Sequence, residues 1–173
     1  YRIMKPAVNL LAGIPSVIYG FFGLGVIVPA MQRLFGGGGK GVLTASVVLG
    51  IMILPTIISV SETAIRAVPD TYYEGSLALG ATHERSVFAV TVPAAKSGIM
   101  AGVILGIGRI TGETAALLYQ AGTAPVVPDS LFSSGRTLAV HMYALLSEGL
   151  YMEQAYATAV VLLVMVLLIN ILS

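Results

Sequence analysis

Two ionisable residues lie inside a long apolar stretch of this chain. Arg109 and Glu113 are four residues apart in a segment, residues 94–118, whose other members are mostly apolar or small. A charged side chain inside a membrane costs about 2.5 kcal/mol or more, so such residues usually face a partner or a water-filled path. The spacing of four places both on one helix face, where they can pair. The pattern predicts either part of a translocation pathway or an ion pair that holds helices together.

Small residues share the predicted face with these charges. At about 100° per residue, three glycines fall with Arg109 and Glu113 in an arc of roughly 80°. The glycines are Gly98, Gly102 and Gly106, and Ala116 and Gln120 extend the stripe. Glycines let another helix approach closely. We therefore expect a tight helix contact that opens, further along, into a polar pathway.

The composition indicates that the chain is embedded in a lipid membrane. Hydrophobic residues make up 57% of the 173 residues and charged residues 10%, and the mean hydropathy is +0.93. Soluble domains carry about 25% charged residues, so this chain has too little polar surface for a water-soluble globule. A net charge of +1 without a basic cluster argues against nucleic acid as a partner. Without cysteine or a metal-spaced His, Asp and Glu group, the sequence predicts neither disulfides nor a metal site.

Four apolar segments approach the roughly 20 residues that a spanning helix needs. None alternates with a period of two, so the sequence predicts an all-α membrane protein. Pro15 suits the start of the first span. Pro55 interrupts the second, where a spanning helix tolerates it because neighbours satisfy the freed backbone group. The segments are residues 14–30, 42–60, 94–118 and 155–172.

The basic residues set the orientation of these spans. Three polar connections separate them, at residues 32–41, 61–93 and 122–154, and the first contains a glycine run that predicts a flexible turn. The side that holds the N-terminus and the 61–93 connection is richer in Lys and Arg, so it is predicted to be cytoplasmic. That side carries Arg2, Lys5, Arg66, Arg85 and Lys96, and the other carries Arg33, Lys40 and Arg136. Since the chain opens at Tyr1 and stops after an apolar run, we expect the core of a longer protein with at least one further N-terminal span.

The 61–93 connection predicts two short helices joined by a turn. Residues 70–79 suit a helix with Asp70 as N-cap after Pro69, and Gly80 permits a left-handed turn. Residues 83–90 suit a second helix, in which His83 is expected to be solvated or at an interface, and Pro93 opens the next span. A rigid helix beneath the membrane suits a partner's groove. The alternative is an ordinary polar loop.

The same connection resembles the coupling loop of permease subunits of bacterial ATP-binding-cassette (ABC) importers. That pattern is Glu-Ala-Ala, three residues, Gly, nine residues and Ile-x-Leu-Pro. Here Glu-Gly-Ser-Leu-Ala-Leu-Gly at 74–80 and Val-Thr-Val-Pro at 90–93 keep every spacing. The resemblance implies the type I importer permease fold over residues 1–173, with the coupling loop at 61–93. The residues expected to meet the ATPase are Tyr72, Tyr73, Glu74 and Gly80, the two tyrosines because aromatics are enriched at interface cores.

Further stretches resemble the phosphate-specific branch of these permeases. They are Leu-Ala-Gly-Ile-Pro-Ser-Val-Ile-Tyr-Gly at 11–20, Gly-Arg-Ile-Thr-Gly-Glu-Thr-Ala at 108–115 and Gly-Arg-Thr-Leu-Ala-Val-His at 135–141. With residues 113–118, they favour the A-type of its two permease subunits. The resemblance implies a phosphate importer of the bacterial plasma membrane, in which this chain pairs with a paralogous permease, an ATPase dimer carrying ATP and Mg, and an external phosphate-binding protein.

In such an importer, Arg109 and Glu113 would line the translocation pathway. Arg136 and His141, in the outer connection, would meet the binding protein or the entering anion, unless they are ordinary solvated loop residues. The same machine for sulfate, molybdate or an amino acid is one alternative. An ion-coupled secondary transporter or channel gated by Arg109 and Glu113 is another, although the sequence shows no inverted repeat.

The chain itself carries no ATP-binding motif. Lys40 follows a glycine run, but a P-loop needs Gly six residues before the Lys and Ser or Thr after it. Those positions hold Leu34 and Gly41. The sequence therefore predicts a transporter subunit without its own ATPase site or cofactor, energised by a separate chain.

Overall fold

The computed structural model describes residues 4–171, and every regular element in that range is helical. The prediction of an all-α membrane protein is confirmed. Three helical stretches are long and apolar enough to cross a membrane, and a bent pair makes a fourth if it counts as one span. They are Ser16–Phe35, Val42–Arg66 and Met152–Ile171, and the bent pair is His83–Ala94 with Lys96–Thr111. Arg2 and Leu172, which entered the sequence prediction, lie outside the described residues.

The first span is built from several helical pieces. A helix that the sequence did not predict, α1 (Met4–Ala12), precedes α2 (Ser16–Phe22), a π-helical segment (Gly23–Ile27) and α3 (Val28–Phe35). Pro15 stands directly before α2 with φ −59° and ψ 142°, which confirms its place at a helix start. The helix continues to Phe35, five residues past the predicted end. The predicted span stopped at residue 30 because Gln32 and Arg33 are polar, but both residues lie within α3.

The second span is one continuous helix, α4 (Val42–Arg66). The helix runs through Pro55, whose side chain is fully buried, as the sequence prediction of a tolerated proline allows. Membrane helices tolerate proline where packed neighbours compensate for the freed backbone group. The helix also extends to Arg66, so residues 61–66 belong to α4 and not to a loop. There Glu62 pairs with Lys5 of α1 at 3.1 Å and with Arg66 at 2.9 Å.

The next helices form a bent path back into the membrane. After α4 come α5 (Asp70–Ala78), α6 (His83–Ser86), a π-helical segment (Val87–Thr91), α7 (Val92–Ala94) and α8 (Lys96–Thr111). The axis bends by 61° between Ala94 and Lys96. Pro93 lies within α7, before the bend, so the prediction that it opens the span is wrong by three residues.

Helix α8 packs on α4 through its glycines. A Cβ added to Gly98 would lie 2.5 Å from the Ala64 Cβ, and one added to Gly102 would lie 2.9 Å from Val60 Cγ1. A Cβ on Gly106 would lie 3.0 Å from Ile53 Cδ1. These distances are shorter than side chains can adopt, so the two backbones approach as closely as they do because α8 has no side chains there. The predicted tight helix contact is confirmed.

The third span ends earlier than predicted. Helix α8 stops at Thr111 with Gly112 as its C-cap, and a short helix, α9 (Leu117–Gln120), follows after a break. Gln120 is fully buried, and its Nε2 donates to the Gly20 carbonyl at 2.6 Å. A Cβ on Gly23 would overlap the same amide group. The break therefore turns residues 113–120 against the first span.

The long connection after α9 covers the end of the bundle at which α4 begins. Its backbone meets the start of α4: the Gly41 N–H donates to the Gln120 carbonyl at 2.9 Å and the Leu43 N–H to the Leu131 carbonyl at 2.8 Å. Helix α10 (Leu138–Glu148) then turns at Gly149, with φ +71°, into α11 (Met152–Ile171), and the two pack together. The sequence did not predict α10, because 11 residues are too few for a span.

The buried core joins these elements near the end of the bundle at which α4 begins. One cluster combines residues of α2, α4 and the break before α9, and the other combines residues of α4, α9 and α10. The clusters are Tyr19, Val48, Met52 and Ala116, and Ala45, Leu117, Ala121 and Val140. In contrast, many apolar side chains of α11 are exposed, as expected of a helix that faces lipid or another subunit.

The contact between α4 and α8 can be tested with a size exchange. We expect Gly98→Ala to destabilise the permease by about 1–3 kcal/mol, because the added methyl group overpacks against Ala64. Adding Ala64→Gly should restore much of the loss, since it removes the opposing methyl group. The measurement is thermal unfolding of the full-length protein in detergent. Gly50→Ala in α4, where an added Cβ meets nothing within 4 Å, is the matched control. Equal stability of Gly98→Ala and wild type would contradict the glycine contact.

Candidate functional site

Arg109 lies in the last turn of α8 and reaches the middle of α4. Its Nη1 donates to Thr56 Oγ1 at 3.4 Å, and Thr56 is near the midpoint of that 25-residue helix. The Arg109 side chain is exposed on the isolated chain. Ionisable residues at such a depth face a bundle interior or a water-filled cavity rather than lipid. The surface around Arg109 is therefore one that another helix or a polar path must meet.

Glu113 does not pair with Arg109 in this conformation. The helix ends at Thr111, so the predicted common helix face stops before Glu113, and within residues 4–171 no ion pair joins the two side chains. Glu113 Oε1 instead accepts the Ala116 N–H at 3.1 Å. A carboxylate at the start of a helical turn satisfies an N–H that has no intrahelical acceptor. The structure thus uses Glu113 as a cap for the turn that leads into α9.

The turn of the coupling loop forms as the sequence predicts. Helix α5 covers Asp70–Ala78, and Gly80 adopts φ +85°. The Ala81 N–H donates back to the Ser76 carbonyl at 3.1 Å, which closes the helix end. One detail is wrong: Pro69 occupies the N-cap position, and Asp70 is the first helical residue without a side-chain cap bond.

A contact between Tyr73 and His83 fixes the angle between α5 and α6. The Tyr73 hydroxyl lies 2.6 Å from His83 Nδ1, and the two rings meet edge to face at 5.7 Å. Thr82 caps α6 by accepting the Arg85 N–H at 3.4 Å. The second helix begins at His83 as predicted but continues, through the π-helical segment, to Ala94. The contact between Tyr73 and His83 therefore fixes the turn between α5 and α6.

The free face of α5 is apolar and aromatic. No residue of α5 is buried, and Tyr72 is 55% exposed and Leu79 91% exposed. Glu74 is also exposed, on another side of the same helix. Exposed apolar groups that cluster at one element mark interaction sites. Leu79 was missed by the sequence prediction, although an apolar residue directly before the turn glycine was its visible signal. Tyr72 also lines a cavity of about 310 Å³ between the end of α4 and the start of α8.

The two outer-loop candidates lie apart from the Arg109–Thr56 contact. Arg136 precedes the Thr137 cap of α10, and its Nε is buried without a hydrogen-bond partner among residues 4–171. His141 lies in the first turn of α10, half-buried. No contact is seen between the two side chains across the described part of the chain. That same part contains no group of three His, Cys, Asp or Glu residues able to hold a metal ion.

The whole chain, residues 1–173, matches the protein family described as binding-protein-dependent transport system inner membrane component. The chain belongs to this family. With its long apolar helices, this inner membrane component is a multi-pass protein of the bacterial plasma membrane. No solved structure matches it.

Individual relatives of this chain are named as ABC transporter permeases or phosphate transport permeases. It is 43% identical over 138 residues, 79% of this chain and 45% of the relative, to "Probable ABC transporter permease protein YqgH" of Bacillus subtilis. It is 35% identical over 191 residues, 97% of this chain and 58% of the relative, to "Phosphate transport system permease protein PstC" of Mesorhizobium japonicum. The protein of the same name from Haemophilus influenzae is 39% identical over 80% of this chain and 50% of its own. The chain spans about half the length of the curated relatives it matches.

These names do not support the predicted A-type subunit. Both phosphate permeases carry the name PstC, as does the relative from Pasteurella multocida, and this is the name of the C-type paralogue. The A-type prediction, which rested on residues 11–20, 108–115 and 135–141 together with 113–118, therefore finds no support among these relatives.

The capping role of Glu113 can be separated from its charge. We expect Glu113→Gln to keep the stability of the full-length permease, because the amide oxygen still accepts the Ala116 N–H. Glu113→Ala should lose about 0.5–2 kcal/mol, the range for a missing cap. Thermal unfolding in detergent measures both. If the Gln variant were as unstable as the Ala variant, the charge would matter for stability, and an ion pair would replace the cap as the explanation.

Proposed function

We propose that this chain is a permease subunit of an ABC importer that carries inorganic phosphate into the cytoplasm. The observation that carries the proposal is the Arg109 guanidinium at mid-depth of α4, with one weak contact to Thr56. A guanidinium presents a planar fork of donors that matches phosphate oxygens. Relatives named phosphate permeases support the choice of anion. Membership of a binding-protein-dependent family favours this function over an ion-coupled secondary transporter.

The energy would come from a separate ATPase dimer, which holds ATP and Mg. Its docking site on this chain is the free face of α5, where Tyr72 and Leu79 are exposed, with Glu74 exposed on another side of the same helix. Aromatic and apolar residues of this kind are enriched at interface cores. Tyr73 contributes by fixing the angle of α5 through His83. The chain itself performs no ATP chemistry in this proposal.

Movement would pass from the docking site to the pathway along one connected route. Closure of the ATPases displaces α5, and the Tyr73–His83 contact transmits that displacement to α6 and α7. Beyond the 61° bend, α8 carries Arg109 at its far end. A domain movement of this kind switches the pathway between outward-facing and inward-facing states.

Two further partners complete the proposed importer. A paralogous permease would cover the exposed surface around Arg109, since a charge at this depth requires a partner or a water-filled cavity. A phosphate-binding protein outside the cell would deliver the anion to the outer layer, where Arg136 and His141 lie near the start of α10. We assign this chain to the C-type position, following the names of its relatives.

Replacing Arg109 tests the proposed pathway. We expect Arg109→Gln to lower ATP-driven phosphate uptake at least about tenfold, because it removes a charge-assisted contact to the anion. The complex should still assemble and retain its ATPase. Labelled phosphate uptake in proteoliposomes measures the effect, with sulfate and molybdate run in parallel, and Arg33→Gln at the outer end of α3 is the control. Normal uptake by the Arg109 variant would exclude the pathway role, and failed assembly would indicate a structural one.

Replacing Gly80 tests the proposed docking site. We expect Gly80→Val to reduce the ATPase recovered with the permease about tenfold, because a β-branched residue at φ +85° is strained and tilts α5. Glu74→Lys should act more mildly, since a rim charge mainly tunes association. The measurement is ATPase per permease after purification in detergent. Gly75→Ala, at a glycine of α5 without a positive φ, should bind normally. Wild-type recovery with Gly80→Val would mean that residues 61–93 are not the docking element.

A further inference from the structure

The hydroxyl group of Thr56 behaves differently from those of other threonines in the spanning helices. Thr63, Thr111 and Thr158 each donate to the carbonyl four residues earlier, at 2.8–2.9 Å, and Thr44 donates to the Gly39 carbonyl. This back-bonding is the usual way to satisfy a hydroxyl in an apolar helix. Within residues 4–171, the Thr56 hydroxyl donates no hydrogen bond. It only accepts one, from Arg109.

The Thr56–Arg109 pair therefore presents hydrogen-bond donors that have no acceptor among residues 4–171. The Thr56 oxygen receives the Arg109 Nη1 at 3.4 Å, which leaves the hydroxyl hydrogen to point elsewhere. The other guanidinium N–H groups have no acceptor in the described part of the chain. One turn before Arg109, Gly106 packs on Ile53 and Ile57, so the surroundings are apolar. In such surroundings, an unsatisfied donor costs more and a bound acceptor gains more than in water.

We infer that Thr56 is an anion-contacting residue of the translocation pathway, and that its hydroxyl donates to an oxygen of the same phosphate that Arg109 binds. This inference rests on the proposed function and adds a specific residue to it. A tetrahedral oxyanion is the complement of the pair, because its oxygens accept from several donors at once and carry the charge that neutralises the guanidinium. Since Thr56 is on α4 and Arg109 on α8, the anion contacts both helices.

The first test uses matched substitutions in the reconstituted complex of permeases, ATPase and binding protein. Thr56→Val removes the hydroxyl at nearly constant shape, and Thr56→Ser keeps it. We expect Thr56→Val to lower phosphate transported per ATP hydrolysed about tenfold, the effect of one hydrogen bond to a charged group, and Thr56→Ser to stay near wild type. Thr63→Val is the control: it lies two turns away on α4, and its hydroxyl already binds its own helix.

A second test measures occupancy of the site without transport. Residues 1–173 contain no cysteine, so Thr56→Cys introduces a single thiol into this stretch, and any cysteine elsewhere in the complex is first replaced by Ser. We expect millimolar phosphate to slow the reaction of this thiol with an anionic thiol reagent several-fold in the assembled complex. The Thr63→Cys variant should react at the same rate with and without phosphate.

The outcomes separate this inference from the proposed function. If the wild-type complex moves no phosphate, the proposed function fails. If it does and Thr56→Val transports as well as wild type, Thr56 is not a contact. Equal losses in the Val and Ser variants would assign Thr56 a packing role and overturn the inference. Should the variants fail to assemble, protection of the Thr56→Cys thiol decides: protection supports the contact, and its absence overturns it.

Discussion

The close approach of α4 and α8 is the constraint on which the rest of this structure depends. Three glycines of α8 face side chains of α4, and an added Cβ at any of them would lie 3.0 Å or less from those side chains. In lipid there is no hydrophobic driving force between helices, so close van der Waals packing of α4 against α8 provides the attraction. The same approach brings Arg109 to Thr56. A polar pair at mid-depth and a tight apolar contact are therefore two parts of one helix interface.

The coupling loop is attached to this interface through rigid connections. Glu62 joins the end of α4 to Lys5 and Arg66, and the Tyr73–His83 contact sets the angle of α5. Beyond these contacts, the helix axis bends by 61° between Ala94 and Lys96, where α8 begins. Under the proposed function, a displacement of the exposed α5 would reach α8 through these contacts.

Sequence patterns predicted the elements that depend on local chemistry. The glycine stripe, the left-handed turn at Gly80 and the start of α6 at His83 follow from side-chain size, backbone freedom and periodicity, and all are present. The features that were wrong depend on tertiary contacts. Glu113 leaves the predicted helix face, because its carboxylate caps a separate turn. The helical periodicity of the sequence continues through Gly112, but the helical backbone ends at Thr111. The contact between Arg109 and Thr56 joins residues 53 positions apart, which no local pattern predicts.

The buried amide of Gln120 has a consequence for how this family can vary. It occupies the space in which Gly23 would carry a side chain, and its Nε2 holds the Gly20 carbonyl beside the π-helical segment. A larger residue at 23 requires a shorter residue at 120 and a shift of Val48, whose Cγ2 would lie 2.8 Å from the added Cβ, and the Gly20 carbonyl must then find another donor. Positions 23 and 120 should therefore change together among homologues, as a volume-conserving pair that records the contact in evolutionary covariation.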